Sequence, residues 1–408
     1  MAKHTGQNQT VGLPRVLIRH MSNTPADSLP SPVLVTTTAQ LQQCIDQVKH
    51  CDAIALDTEF MRTDTFFPIL GLVQVYNGDT CWLIDPVAIS DLSPFVEILI
   101  APEIIKVFHS CSEDLEVLKH VLNCAPQPLF DTQIAAALCG YGFSKGYAGL
   151  VDVMMGIYVE KGETRSDWLR RPLSDAQLGY AASDVFHLLP VYRRLCESLE
   201  QLGRTEWVEQ EMSALLAKAS GRDNFEEHFL KVKGAWQLSP QELAALQLLC
   251  KWRELEARER NRPRNRVIGD KILLEIVLNK PESNRALSEI DGMHPGLVRR
   301  YADTLFELLQ RGLSTAGNDC PKPLPEPLPR QAGELIKQLK KVVTTQSVVL
   351  DLPPEILAPK RDVEVVVRHF MEQQKVFLPD TISQGWRYEV VGKQLEQEVS
   401  VLIKSKAK

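Results

Sequence analysis

The stretch Leu72-Val73-Gln74-Val75-Tyr76-Asn77-Gly78-Asp79-Thr80-Cys81-Trp82-Leu83-Ile84-Asp85 reads as two apolar runs joined through Asn-Gly. That dipeptide suits a tight hairpin turn, so the two runs are expected to pair as adjacent antiparallel strands. Such a hairpin argues against an all-parallel dinucleotide-binding fold. Working outward, Ala53-Ile54-Ala55-Leu56 precedes it as another strand, and residues 104–110 and 129–131 follow. Between these last two runs lies the helical pattern Leu115, Val117, Leu118, Val121, Leu122. Three strands in succession and then strand–helix alternation suit a mixed sheet flanked by helices. Before it, Val33-Leu34-Val35-Thr36-Thr37 leads into a helix from Thr38.

The run from Ala53 ends in Asp57-Thr58-Glu59. Residues two apart on a strand share a face, so two carboxylates aim at one point. Like charges held that close repel, and burial raises the cost. A divalent cation is the usual remedy, and hard oxygen ligands suit magnesium or manganese. A strand running out into a solvated acidic turn would carry the same letters. Two further segments offer acids. Ser110-Cys111-Ser112-Glu113-Asp114 joins the strand at 104–109 to a helix and puts Asp114 in or beside its first turn. A Ser112 cap with acids suited to the helix dipole is the structural alternative there. Ser174-Asp175-Ala176-Gln177 is a capping-box pattern that opens a helix. On that helix Tyr180 and Asp184 are four apart and share a face, as a structural pair or a chemical one.

Taken together, these residues resemble the ribonuclease D family, within the DEDD superfamily of 3′→5′ exonucleases. That superfamily carries D-x-E on its first strand, an Asp at a helix start, and Y-x-x-x-D or H-x-x-x-x-D on a later helix. Asp57, Glu59, Asp114, Tyr180 and Asp184 match in order, and Gly179 stands where the histidine subtype needs His, so the chain looks like the tyrosine subtype. The flanking stretches 112–118, 131–135 and Ser166-Asp167-Trp168-Leu169-Arg170-Arg171-Pro172-Leu173-Ser174 are similar as well. The resemblance covers roughly residues 32–315. It implies a ribonuclease H-like α/β domain, a mixed five-stranded sheet with flanking helices whose central strand carries Asp57 and Glu59, and two divalent ions, Mg2+ or Mn2+, held by Asp57, Glu59, Asp114 and Asp184. It further implies that Asp57 bridges both ions, that Glu59 and Asp184 complete the first site, and that Asp114 supports the second partly through water. Tyr180 would orient the attacking water, because a phenol with a pKa near 10 is a poor base at neutral pH. RNA with a 3′ extension, transfer-RNA precursors above all, is the implied substrate. The alternatives are a DNA 3′→5′ exonuclease and a nucleic-acid-binding scaffold with a dead nuclease domain.

At 408 residues the chain is too long for one ordinary core. The expected organisation is a polar disordered leader over 1–31, the exonuclease domain over 32–218 and a linker over 219–234. A helical HRDC domain (helicase and ribonuclease D C-terminal) over 235–315 comes next, by resemblance. Prolines at 321, 323, 325, 327 and 329 then mark a stiff connector over 316–330. Residues 331–408 read as a further small helical domain, HRDC-like by resemblance. No run approaches a membrane span, and the start lacks the apolar core of a secretory signal. Nine cysteines without C-x-x-C pairs suit reduced thiols in a cytoplasmic protein, and nothing indicates an obligate protein partner.

A net charge of −6 does not favour nucleic acid, but its distribution matters more. Between Lys251 and Lys271 stand eight Lys and Arg against four acids, a local excess of four. Arg262, Arg264 and Arg266 have no acid beside them in sequence and are read as phosphate contacts. The earlier arginines alternate with glutamates and suit a solvated helix face. Tyr158, Lys161, Arg165, Trp168, Arg170 and Arg171 form a second basic and aromatic segment, with Lys161 and Trp168 the nucleic-acid candidates. Trp168 suits a core position equally well.

Overall fold

The computed structural model describes residues 31–160, 162, 166–221 and 223–406. The leader expected over 1–31 lies almost wholly outside them. Strands β1 (Val33–Val35), β2 (Ala53–Met61), β3 (Ile69–Tyr76), β4 (Cys81–Ile84), β5 (Ile105–Phe108) and β6 (Leu129–Asp131) form one sheet in the order β1-β4-β3-β2-β5-β6. β3 and β4 pair antiparallel with Tyr76 opposite Cys81, and Gly78 takes the positive φ of 104° in the turn between them. β2, β5 and β6 pair parallel. Parallel strands are covered on both faces, which is why Ala53–Leu56 and Ile105–Phe108 read as unbroken apolar runs and are wholly buried.

Five strands were expected and six are present. The extra one is β1, which pairs parallel with β4 at Val33–Trp82, Leu34–Leu83 and Val35–Ile84. Three residues are too few to show a period of two, so only the pairing identifies it. Helix α1 (Thr38–Val48) follows, with Thr37 and Gln40 closing a capping box.

The chain divides into two compact units. The first holds the sheet and α2 (Ser112–Leu122), α3 (Thr132–Leu138), α4 (Tyr147–Met155), α5 (Asp175–Phe186), α6 (Leu188–Gln201) and α7 (Thr205–Ser220). The second comprises Arg62–Ile69 and Gly221–Leu328. Its main helices are α8 (Pro240–Glu259), α9 (Asp270–Asn279) and α10 (Pro295–Leu313). Ser239 caps α8 in a box with Glu242, and Pro240 sits in its first turn, as its sequence predicts. Two boundaries differ from expectation. Residues 219–234 are not a bare linker, because Phe229 and Val232 are buried in the helical core with Leu246, Leu249 and Ile276. Phe66 joins the same core, and the Asn261 side-chain oxygen accepts from the amides of Phe66 and Phe67 at 3.0 and 2.9 Å.

Residues 331–408 were expected as a separate domain. Instead α11 (Ala332–Leu350), α12 (Lys360–Gln373) and α13 (Lys393–Lys406) belong to the first unit. Trp386 stacks on Trp207 with ring centroids 4.6 Å apart, and its indole N–H donates to Glu211 at 2.8 Å. Arg387 forks onto both oxygens of Glu211, and Arg204 donates to the carbonyls of Leu138 and Leu350. The pairings of Trp386, Arg387 and Leu350 with residues 204–211 span 146 to 179 residues, beyond any local sequence signal. Among the described residues no helix is long and apolar enough to cross a membrane.

Candidate active site

β2 brings the first two acids to the middle of the sheet. Its register against β5 sets Ala53, Ile54 and Ala55 opposite Ile105, Lys106 and Val107. Four buried residues anchor the strand, and Asp57 and Glu59 then emerge two apart at partly buried positions. Thr58 points to the opposite face, where its hydroxyl donates to Asp114 in the first turn of α2. Ser112 does not cap that helix; its N-cap is Cys111, which makes no side-chain cap. The turn is held by Asp131 instead, whose carboxylate accepts from the amides of Ser110 (3.1 Å) and Cys111 (2.9 Å) and also caps α3.

The third segment is α5, which packs on β2 and β4. The Ser174–Gln177 capping box starts it as its sequence predicts. Asp184, two turns further on, brings a carboxylate oxygen to the Asp57 and Glu59 carboxylates, the three oxygens lying within 4.8 Å of one another. The Tyr180 hydroxyl donates to Asp184. Beneath α5 the buried Tyr147 hydroxyl donates to the Ser183 carbonyl at 2.8 Å and accepts the His187 amide at 3.2 Å.

The electrostatics follow from this crowding. Burial, and then the charges of Asp114, Asp184 and Glu59, push the Asp57 carboxyl well above the usual carboxylate range. Glu59 is pushed up to about 8 by burial and by Asp184 and Asp114. Burial lifts Asp184 to about 7 against the opposing hydrogen bond from Tyr180, and Asp114 to about 6 against that from Thr58. The Tyr180 phenol is driven well above its usual value by burial and by Asp184 and Glu59, so at neutral pH it is a protonated donor. Three carboxylates within ligand distance, with no cationic side chain paired to them among the described residues, have the donor chemistry of a divalent-cation site.

A second cluster, Asp223, His228 and Glu254, is also close enough to hold an ion. Its charge is already balanced. Arg258 donates to both Glu254 and Asp223, and Arg264 forks onto Glu254. Burial alone would raise the Glu254 carboxyl, but the Arg264 and Arg258 guanidiniums outweigh it and hold it below the ordinary range.

The nucleic-acid candidates fare unevenly. Trp168 is only 1% exposed and cannot stack on a base. Arg264 is committed to the buried Glu254. Arg262 is exposed, without an ion pair among the described residues, and the exposed Arg266 reaches Asp64 at 3.7 Å. Arg253 is buried and bound to Asp270. Lys161 and Arg165 lie outside the described residues. Tyr158, by contrast, is 83% exposed.

Acids from β2 and α5 meeting at a ribonuclease H-like mixed sheet, with the α2 acid Asp114 held beside them by Thr58, define the class, that of the 3′→5′ exonucleases. Residues 32–200 match the family model described as a 3′-5′ exonuclease, and residues 242–309 match the HRDC domain. The chain is 42% identical to ribonuclease D of Pseudomonas paraeruginosa over 84% of its length and 90% of that protein. It is 36% identical to ribonuclease D of Escherichia coli K12 over 89% of its length and 96% of that protein. The crystal structure of E. coli RNase D, described as an exoribonuclease involved in structured RNA processing, superposes with a TM-score of 0.82 at 35% identity. That match covers 90% of this chain and 98% of the other. The chain belongs to the ribonuclease D family and is a hydrolytic 3′→5′ exoribonuclease, in a family whose members typically depend on metal.

Proposed function

We propose that this exoribonuclease shortens structured RNAs from the 3′ end, transfer-RNA precursors among them, using two divalent ions, Mg2+ or Mn2+. Asp57, Glu59, Asp114 and Asp184 would hold the ions. The observation that carries this reading is the convergence of Asp57, Glu59 and Asp184 within 4.8 Å, with carboxyl pKa values raised by burial and, at Asp57 and Glu59, by the neighbouring acids as well. When bound, the ions supply neutralising charge and Lewis acidity for the attacking water. Tyr180 donates a hydrogen bond to Asp184 and keeps oxygen lone pairs that can accept from that water, orienting rather than deprotonating it. The cysteine pattern supports a reducing, cytoplasmic setting. The test incubates the purified chain with a 3′-extended transfer-RNA precursor, an unstructured RNA and a matched DNA strand, with and without magnesium. Stepwise magnesium-dependent shortening of the precursor is expected. Equal activity on DNA, or activity in a chelator, would refute the reading.

Of the arginines read as phosphate contacts, Arg262 and the Asp64-paired but exposed Arg266 are the candidates for phosphate, with the exposed Tyr158 a candidate for a base. Replacing both arginines with Ala should weaken RNA binding and flatten the log K against log salt slope by about 1.4, at about 0.7 per single-strand phosphate contact. An unchanged slope from filter binding between low and moderate salt would assign both to solvated surface.

A further inference from the structure

Within the basic and aromatic segment from Tyr158 to Arg171, Trp168 is buried and Arg171 is bound inward. All five N–H groups of Arg171 are used. Nε and Nη2 fork onto Asp85 at 2.7 and 2.6 Å, and Nη2 also donates to the Gly71 carbonyl at 2.8 Å. Nη1 donates to the carbonyls of Trp168 (2.8 Å) and Arg170 (2.9 Å). Asp85, just past the end of β4, is buried, and its Oδ1 accepts further from the amides of Val87 and Ala88. The guanidinium therefore ties Trp168 to the sheet. Gly71 permits the approach: a Cβ there would stand 2.8 Å from the Trp168 carbonyl oxygen. At the other end Gln177 in α5 donates to the Asp167 carbonyl at 3.3 Å.

What this brace holds in place is the buried indole of Trp168, whose ring centroid lies 6.2 Å from that of Tyr180 at an interplanar angle of 38°. On another flank Gly162 approaches the Tyr180 ring so closely that a Cβ would be 3.0 Å from Cδ2. The ring that carries the hydroxyl bonded to Asp184 thus rests on a side chain whose backbone is fixed by Arg171 and Asp85.

We propose that Arg171 and Asp85 are positioning residues for the reaction, acting through Trp168 to fix the Tyr180 ring, a role that rests on the water-orienting reading of Tyr180. A planar fork with five donors cannot be reproduced by an ammonium group, so Arg171→Lys keeps the charge but loses the geometry. The experiment is a double-mutant cycle on kcat with 3′-labelled single-stranded RNA, comparing the full-length wild type, Arg171→Lys, Tyr180→Phe and the double variant. Arg171→Lys is expected to lower kcat about tenfold, a modest share of what misplacement near the chemistry can cost. KM and the half-saturating magnesium concentration should stay near wild type. In the Tyr180→Phe background the same change should cost less than about twofold, because the hydroxyl it positions is gone. An equal loss in both backgrounds, no loss in the wild type, or a shifted magnesium requirement would overturn the proposal. Full activity of Tyr180→Phe alone would instead remove the water-orienting reading. Should Arg171→Lys fail to fold, Trp168→Phe replaces it in the same cycle with the same expectation.

Discussion

Asp57→Asn is expected to lower exonuclease turnover by about 10³-fold or more, equivalent to roughly 4 kcal/mol of barrier, while the metal-free protein becomes more stable at alkaline pH. Both halves have one origin. The Asp57 pKa is raised by burial, and the charges of Asp114, Asp184 and Glu59 each raise it further. The neutral amide removes one of the acids proposed to hold the cation and with it much of the site's hold on one. It also removes repulsion that the folded chain bears when no cation is present.

The pH dependence follows by linkage. Carboxyl groups have ordinary values near 4 in the unfolded chain, whereas here Asp114, Asp184 and Glu59 sit at about 6, 7 and 8. Between about pH 4 and pH 8 the metal-free folded state therefore binds more protons than the unfolded state, and stability declines as pH rises through that window. Thermal melts in a chelator should show the wild type losing stability from pH 5 to pH 8, and magnesium restoring it at pH 8. At pH 8 without metal, Asp57→Asn should melt roughly 2 °C above the wild type, the shift expected from about 1 kcal/mol in a unit of this size. At pH 4 the difference should vanish. A variant that melts below the wild type at pH 8 would show that Asp57 contributes packing or hydrogen bonding outweighing its repulsion.

Tyr180→Phe is expected to reduce kcat about 10- to 100-fold, within the range set by orientation of a reacting group. It should leave KM and the magnesium requirement close to wild type. The reason lies in the polarity of one hydrogen bond. Burial and neighbouring acids keep the phenol protonated, so its contribution is a donated bond to Asp184 and a fixed pair of acceptor sites. Phenylalanine keeps the ring against Trp168 and deletes only those interactions. Asp184 loses a hydrogen bond that lowers its pKa, so the variant's rate profile should move to higher pH on the acidic limb. Collapse of magnesium binding in this variant, measured by titration calorimetry, would make Tyr180 part of the ligand support and refute an orienting role.

The reach of sequence reasoning here can be followed residue by residue. The capping boxes at Ser174 and Ser239 were legible because donor and acceptor lie three residues apart on one turn. So was the Asn77-Gly78 hairpin, where two residues carry the turn's backbone requirement. The pairing of Tyr180 with Asp184 follows from helix pitch. The fork of Arg171 on Asp85 spans 86 residues, and no local pattern announces it. Arg264 reads as a free cation beside Arg262 and Arg266, yet Glu254, ten residues back on α8, takes it. Trp168 reads equally as a stacking surface or as core, and only its exposure of 1% decides.

By itself the sequence determined the chemistry available: four acids and a phenol on elements whose periodicity and caps are local properties of the chain. The tertiary structure alone decided which polar groups are spent and which remain open. It turned Trp168 and Arg171 inward, drew residues 331–408 into the same unit as the sheet, and left Arg262 exposed. The physical reason is that burial, hydrogen-bond saturation and charge balance belong to neighbourhoods in space. A guanidinium or an indole acquires its role only once distant backbone and carboxylate groups have arrived beside it.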